Sequence, residues 1–244
     1  MPDEQRLEEQ LLSQGAGKMI SEQLDKLGKV DVDVQTDLFK MIQGQVDGVS
    51  LSGEGLELQD IRVQEITLQT DNIAVNPLSA LFGQIELSQP VNATVRIVLT
   101  EEDINRALSS DSILSQMPTY ELNVDGEIVS LKPQEIQIQL PSDRQMGFTG
   151  KVLLKEKGDT RTVGFTAMVR PRTSTEPIIL ESFNCTQGEG ICLDTVAALI
   201  KKVKELVNLP SFEYQKTALS IKSLVVQKGI LKVLAQAHVK QIPS

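Results

Sequence analysis

Residues 91–108 read VNATVRIVLTEEDINRAL, and the reading of this stretch decides the fold. Val91, Ala93, Val95 and Ile97 alternate with Asn92, Thr94 and Arg96, the period of a strand with one apolar and one wet side. At Thr100 the period changes. Thr100-Glu-Glu-Asp103 reads as a capping box, with Thr100 as N-cap and Asp103 reaching back, and it opens a short helix over 101–109. The acidic first turn suits the positive end of that helix.

The same alternation extends outward in both directions. Towards the N-terminus lie Val30, Val32 and Val34, then Leu56 and Leu58. Ile61 and Val63 are followed by Ile66 and Leu68, with parity changes that predict bulges or bends. Ile73, Val75, Ile85 and Leu87 complete this half. Towards the C-terminus come Tyr120, Leu122 and Val124, a turn at Asp125-Gly126, then Ile136, Ile138 and Leu140. Phe148, Val152 and Leu154 precede a Gly158-Asp159 turn and a strand carrying Val163, Phe165, Ala167 and Val169. Leu219 and Ile221 pair with Leu231, Val233, Ala235, Ala237 and Val239 across Lys228-Gly229. Short turns of this kind make antiparallel neighbours.

Two further helices have period 3.6. Leu7, Leu11, Leu12, Ala16, Met19, Ile20, Leu24 and Leu27 fall on one face of a helix over 4–27, which would span about 36 Å. Val196, Ile200, Val203 and Leu206 stripe a helix over 194–208 that Pro210 ends. The expected organisation is one domain over 1–244: helix 4–27, strands 30–99, helix 101–109, strands 119–183, helix 194–208 and a C-terminal hairpin 212–241. The expected fold is α+β, a long curved antiparallel sheet, rolled or closed as an elongated barrel, wrapped around amphipathic helices. A half-apolar sheet must hide its apolar face, and the two long helices are the natural lids or plugs. Val, Ile, Leu and Ala dominate that face, because aromatic residues are only 3% of the chain and Trp is absent. Such a lining either packs into a filled core or leaves a long apolar cavity.

Composition narrows the function. A net charge of −9 opposes nucleic-acid binding, which needs a basic surface. One His and two Cys leave little from which to build a nucleophile–base pair or a metal site, and no cofactor is implied. His238 lies on the polar side of its strand and has no G-x-S-x-G element to serve. Gly15-Ala-Gly17-Lys18 is no phosphate loop, since Leu12 and Met19 stand where that loop needs Gly and Ser or Thr. Asp31 with Asp33, and Glu57 with Gln59, read as the wet side of strands; a hard cation needs six or more oxygens from a turning loop. The acidic N-terminus is unlike a secretory leader, and no run reaches the ~18 apolar residues of a span. A cytoplasmic location is therefore expected, with Cys185 and Cys192 as thiols, although NCTQGEGIC reads as a Gly-containing loop in which a bridge could close.

Residues 73–108, IAVNPLSALFGQIELSQPVNATVRIVLTEEDINRAL, resemble the LmeA-like family of bacterial envelope proteins, a former domain of unknown function, in its cyanobacterial branch. Gly83, Pro90, Ala93 and the helix start Leu99-Thr-Glu-Glu-Asp-Ile-Asn105 carry the resemblance. It implies phospholipid binding by a fold similar to the tubular lipid-binding (TULIP) modules, in which a curved sheet wraps a long helix around an apolar channel. The best-known relatives carry a leader or membrane anchor, and this sequence shows neither.

The expected function is thus non-enzymatic binding or transfer of a phospholipid or another acyl-chain lipid, by a monomer or weak homo-oligomer with peripheral membrane contact. The expected lining is Leu11, Met19, Ile20, Leu24, Val95, Ile97, Phe165, Val196, Ile200 and Val203. Leu81 and Phe82 are placed at the mouth or as a plug. The competing expectation is a filled-core scaffold that docks on a membrane-associated complex.

Overall fold

The structure, a computed structural model, describes residues 13, 28–36, 39–40, 43–58, 61–76, 86–156, 158–171, 176–187, 193–198, 201, 212–214 and 217–240. The chain builds two antiparallel sheets instead of one. The larger has seven strands in the order β1-β2-β3-β4-β12-β11-β10. These are β1 (Lys29–Gln35), β2 (Gln45–Leu58), β3 (Ile61–Ala74), β4 (Val91–Thr100), β10 (Phe212–Tyr214), β11 (Thr217–Gln227) and β12 (Ile230–Val239). The smaller is a five-stranded meander of β5 (Tyr120–Val124), β6 (Glu127–Ser142), β7 (Gln145–Glu156), β8 (Asp159–Arg170) and β9 (Ile179–Gln187).

Neither sheet closes on itself, so the expected barrel is corrected to two open sheets. Closure would require the edge strands β1 and β10, or β5 and β9, to pair, and each has a neighbour on one side only. The long helix expected over 4–27 lies outside the described residues except for helical Ser13, whose hydroxyl accepts from the Val34 amide at 3.1 Å. Of the helix expected over 194–208, residues 193–198 and 201 are described and helical.

The quoted stretch folds as read. β4 runs into α1 (Glu101–Leu108), where the Thr100 hydroxyl accepts from the Asp103 amide at 3.1 Å. A second short helix, α2 (Asp111–Gln116), is capped by Ser110 in the same way and is absent from the sequence expectation. The parity changes in β3 take an unforeseen form. Gly55 and Gln64 drop out of the β2–β3 ladder together, so both strands flip parity while the register is kept. Gly55 has φ +64°, which glycine adopts without strain.

α1 joins the two sheets. β5 pairs with β6 only as far as Leu131, which leaves the next stretch of β6 as an edge. Asn105 covers that edge as a strand would: its side-chain Nδ2 donates to the Ile138 carbonyl at 2.8 Å, and its Oδ1 accepts from the Ile138 amide at 2.7 Å. Glu101 accepts from the Leu140 amide at 2.6 Å. The tips of two hairpins bond directly, Gly229 N to Leu140 O at 2.8 Å and Arg144 N to Val226 O at 3.0 Å. Below them Leu140, Met146, Val226 and Leu231 form a buried cluster to which both sheets contribute.

Candidate functional site

The ladders of the larger sheet align its apolar positions into rows that cross the strands. One row runs Val32, Leu51, Leu68, Val95, Ala235, Ile221. The next runs Val30, Gly53, Ile66, Ile97, Val233, Leu224. Cross-strand aliphatic pairs of this kind hold the sheet together laterally. Their burial is uneven. Towards one end of the strands Val34, Val91, Ala93 and Ala237 are buried, and towards the other Leu231 and Val226 are buried. Between these ends Leu51, Leu68, Val95, Ala235, Ile66, Ile97 and Val233 are only half-buried, and Ile221 is 46% exposed. The middle of the face is an apolar surface with room on it.

The smaller sheet has a similar apolar face with a different outcome. Leu122, Val124, Val129, Leu131, Val152, Leu154 and Val163 make a buried cluster, with Tyr120, Phe165 and Ala198 packed against it. Ala198 comes from the helical residues 193–198, so this helix lies over that face. Phe165 and Phe183 stack at a centroid distance of 5.8 Å. The two apolar faces meet in the joint cluster, where Leu99, Leu224 and Val233 of the larger sheet and Ile138 and Phe148 of the smaller one pack around its buried residues.

Of the expected lining residues, Val95 and Ile97 are neighbours on the half-buried face of β4, and Phe165 lies on the smaller sheet. Val196 is half-buried in the helix that supplies Ala198. The structure therefore places these four on two surfaces. Leu11, Met19, Ile20, Leu24, Leu81, Phe82, Ile200 and Val203 lie outside the described residues. Leu51, Leu68, Val233 and Ala235 complete the surface around Val95 and Ile97 and were missing from the expected lining. Their alternation marked some of them as inward-facing, but their adjacency depends on register.

A cleft of about 310 Å³ lies elsewhere, between the helices and the smaller sheet. Gln134, Gln137, Thr149 and Gln187 line it beside Leu108, Leu114 and Ile136, a mixed lining ill suited to a hydrocarbon chain. The polar residues singled out from sequence have structural partners or are solvated. The His238 ring bonds Asn92 Oδ1 at 2.8 Å across the β4–β12 pair. Cys185 is an exposed free thiol on β9, and NCTQ of the expected loop is strand; Cys192 lies outside the described residues. Asp103 is the buried carboxylate of the α1 cap. Burial pushes its pKa up, but Gln64 Nε2 and the Thr100 hydroxyl, each donating at 2.6 Å, and the nearby Arg62 and Arg106 outweigh burial and hold it below its ordinary value. Among the described residues no helix is long and apolar enough to cross a membrane.

A family model described as LmeA-like phospholipid-binding matches residues 3–236. No curated protein and no solved structure matches the chain.

Proposed function

The chain belongs to the LmeA-like phospholipid-binding family, and from that premise we propose that it holds a phospholipid by its acyl chains against the half-buried face of the larger sheet. The observation that carries this reading is the row Leu51, Leu68, Val95, Ala235, aliphatic in four adjacent strands and half-buried in all of them. A hydrocarbon chain laid there needs no polar partner, since each buried CH₂ contributes about 0.8 kcal/mol. Val95 and Ile97 are the contacts we assign to it.

In this proposal the two sheets curve around the helices, whose stripes, Leu11, Met19, Ile20 and Leu24 in one and Val196, Ile200 and Val203 in the other, cover the chain. Phe165 belongs to the wall of the smaller sheet, and Leu81 and Phe82 to the mouth. The residues 1–244 act as one lipid-binding unit that binds or transfers its ligand at the periphery of a membrane, with no chemical step. Native mass spectrometry and solvent extraction of protein purified from cells test the reading, together with uptake of a fluorescent phospholipid. One bound lipid per chain is expected. Protein that carries no lipid and takes none up overturns it.

A further inference from the structure

We propose that the end of the larger sheet formed by the β1–β2 and β3–β4 connections is an apolar tip that inserts into a lipid bilayer, with Phe39 as its anchor. This rests on the phospholipid reading above, because a bilayer is where such a ligand is collected.

Antiparallel order puts both connections at one end, the end opposite the joint between the sheets. Val91 and Leu99 mark the two ends of β4, roughly 27 Å apart at the rise of a strand. The connections are tied together at their bases, where Val75 N donates to Gly44 O at 2.7 Å and Val75 bridges Leu87. Phe39 is 73% exposed at this end. Its exposure is held by what surrounds it. Thr36 is buried and donates to the Gln45 carbonyl at 3.2 Å, Gln43 N bonds Lys40 O at 3.0 Å, and Lys40 Nζ reaches both Asp47 carboxylate oxygens at 2.8 and 2.7 Å. A phenylalanine presented to water on a clamped turn is an unfavourable surface unless something covers it.

The sequence of the connections says what that is. They read TDLFKMIQG (36–44) and NPLSALFGQIE (76–86), each with a Leu-Phe pair, in a chain with only six Phe. The charges here are Lys40 against Asp37, Asp47 and Glu86, so the tip is locally acidic. Attraction to anionic headgroups is thereby absent, and the contact must be apolar insertion into the bilayer interface.

The absence of Trp from the chain makes Phe39→Trp a clean reporter. On adding phosphatidylcholine vesicles its emission should shift to the blue and be quenched by lipids brominated high in the acyl chain. In flotation, binding of the unaltered chain should change little between low and high salt. Phe39→Asp should lower the bound fraction about tenfold or more, the scale of losing one buried phenyl. Phe39→Asp should still accept fluorescent phospholipid offered from detergent micelles. If neither chain accepts it, the lipid-binding reading fails, while flotation and quenching still decide the tip. Unshifted emission, equal flotation of Phe39→Asp, or binding confined to anionic vesicles and lost in salt overturns the proposal. A Phe39→Asp chain that floats normally but changes oligomeric state also overturns it, and makes the surface an interface between copies.

Discussion

The two sheets carry the same alternating aliphatic pattern and use it differently. In the smaller sheet Val163 is fully buried and Val129 and Leu154 are 1% exposed, so the pattern ends as a filled core. In the larger sheet the central rows remain half-buried. Covering accounts for the difference. The helical residues 193–198 lie on the smaller sheet, whereas the larger is closed over at the strand ends and less so between them. The expectation of either a filled core or an open apolar surface was posed for one sheet, and the molecule has one of each.

The largest effect should come from truncating the two faces in parallel. Leu154→Ala removes a side chain from a closed cluster and should cost about 2–5 kcal/mol in urea or thermal unfolding. Leu68→Ala, at a half-buried site, should cost clearly less, about 1–2 kcal/mol by the fraction of area it loses. Equal losses would erase the distinction between core and surface.

Next is the joint. Asn105→Ala leaves the Ile138 amide and carbonyl without their partners on a partly buried edge, and about 2 kcal/mol of destabilisation is expected. If the sheets form one cooperative unit, the single transition moves as a whole. A transition that splits in two, followed by two probes, would mean that the faces of the joint cluster are only loosely coupled.

Much of this was legible in the sequence because it is local. The strand of Val91–Thr100 and its capped helix depend on neighbours a few residues apart, and both are as read. What depends on distant partners was not. Asn105 acts on a strand 33 residues later and Gln64 on a carboxylate 39 residues later, and neither residue type signals this. The first half of β2 was hidden because Gly48 and Gly53 occupy positions where a side chain would have shown the period. β9 was partly hidden because an edge strand with most residues exposed has no alternation to display. The candidate surface was legible as a set of inward-facing residues, but its division between two sheets was not, since register is not written in any one strand.

A smaller effect follows from Asp103, which fastens α1 to the larger sheet through Gln64. Its pKa is depressed in the folded chain, so its contribution is present above the unfolded value, about 3.9, and is lost as pH falls through the folded value. Unfolding measured along an acid series should therefore show stability declining below about pH 4. In Asp103→Asn that part of the decline should be flattened, and the difference between the two curves should vanish at the acid end. Parallel curves would mean that the carboxylate is no tighter a partner in the folded chain than in water.

The smallest effect on stability should accompany a large effect on binding, at Val95. Its cross-strand neighbours are Leu68 and Ala235, and Ala235 leaves space beside it. In a filled core Val95→Trp would overpack and cost about 1–3 kcal/mol, as such insertions do. On an open apolar face the indole has somewhere to lie, so the melting temperature should move little. The ring then occupies the surface assigned to the acyl chain, and phospholipid uptake should fall while the circular dichroism spectrum is unchanged. The paired control is Val163→Trp in the smaller sheet, where the same ring has no space and the cost should appear as stability. If Val95→Trp melts early, the face of the larger sheet is packed like the smaller one. If it melts normally and takes up lipid unchanged, the acyl chain lies away from β4, and Ile97 loses its assignment with it.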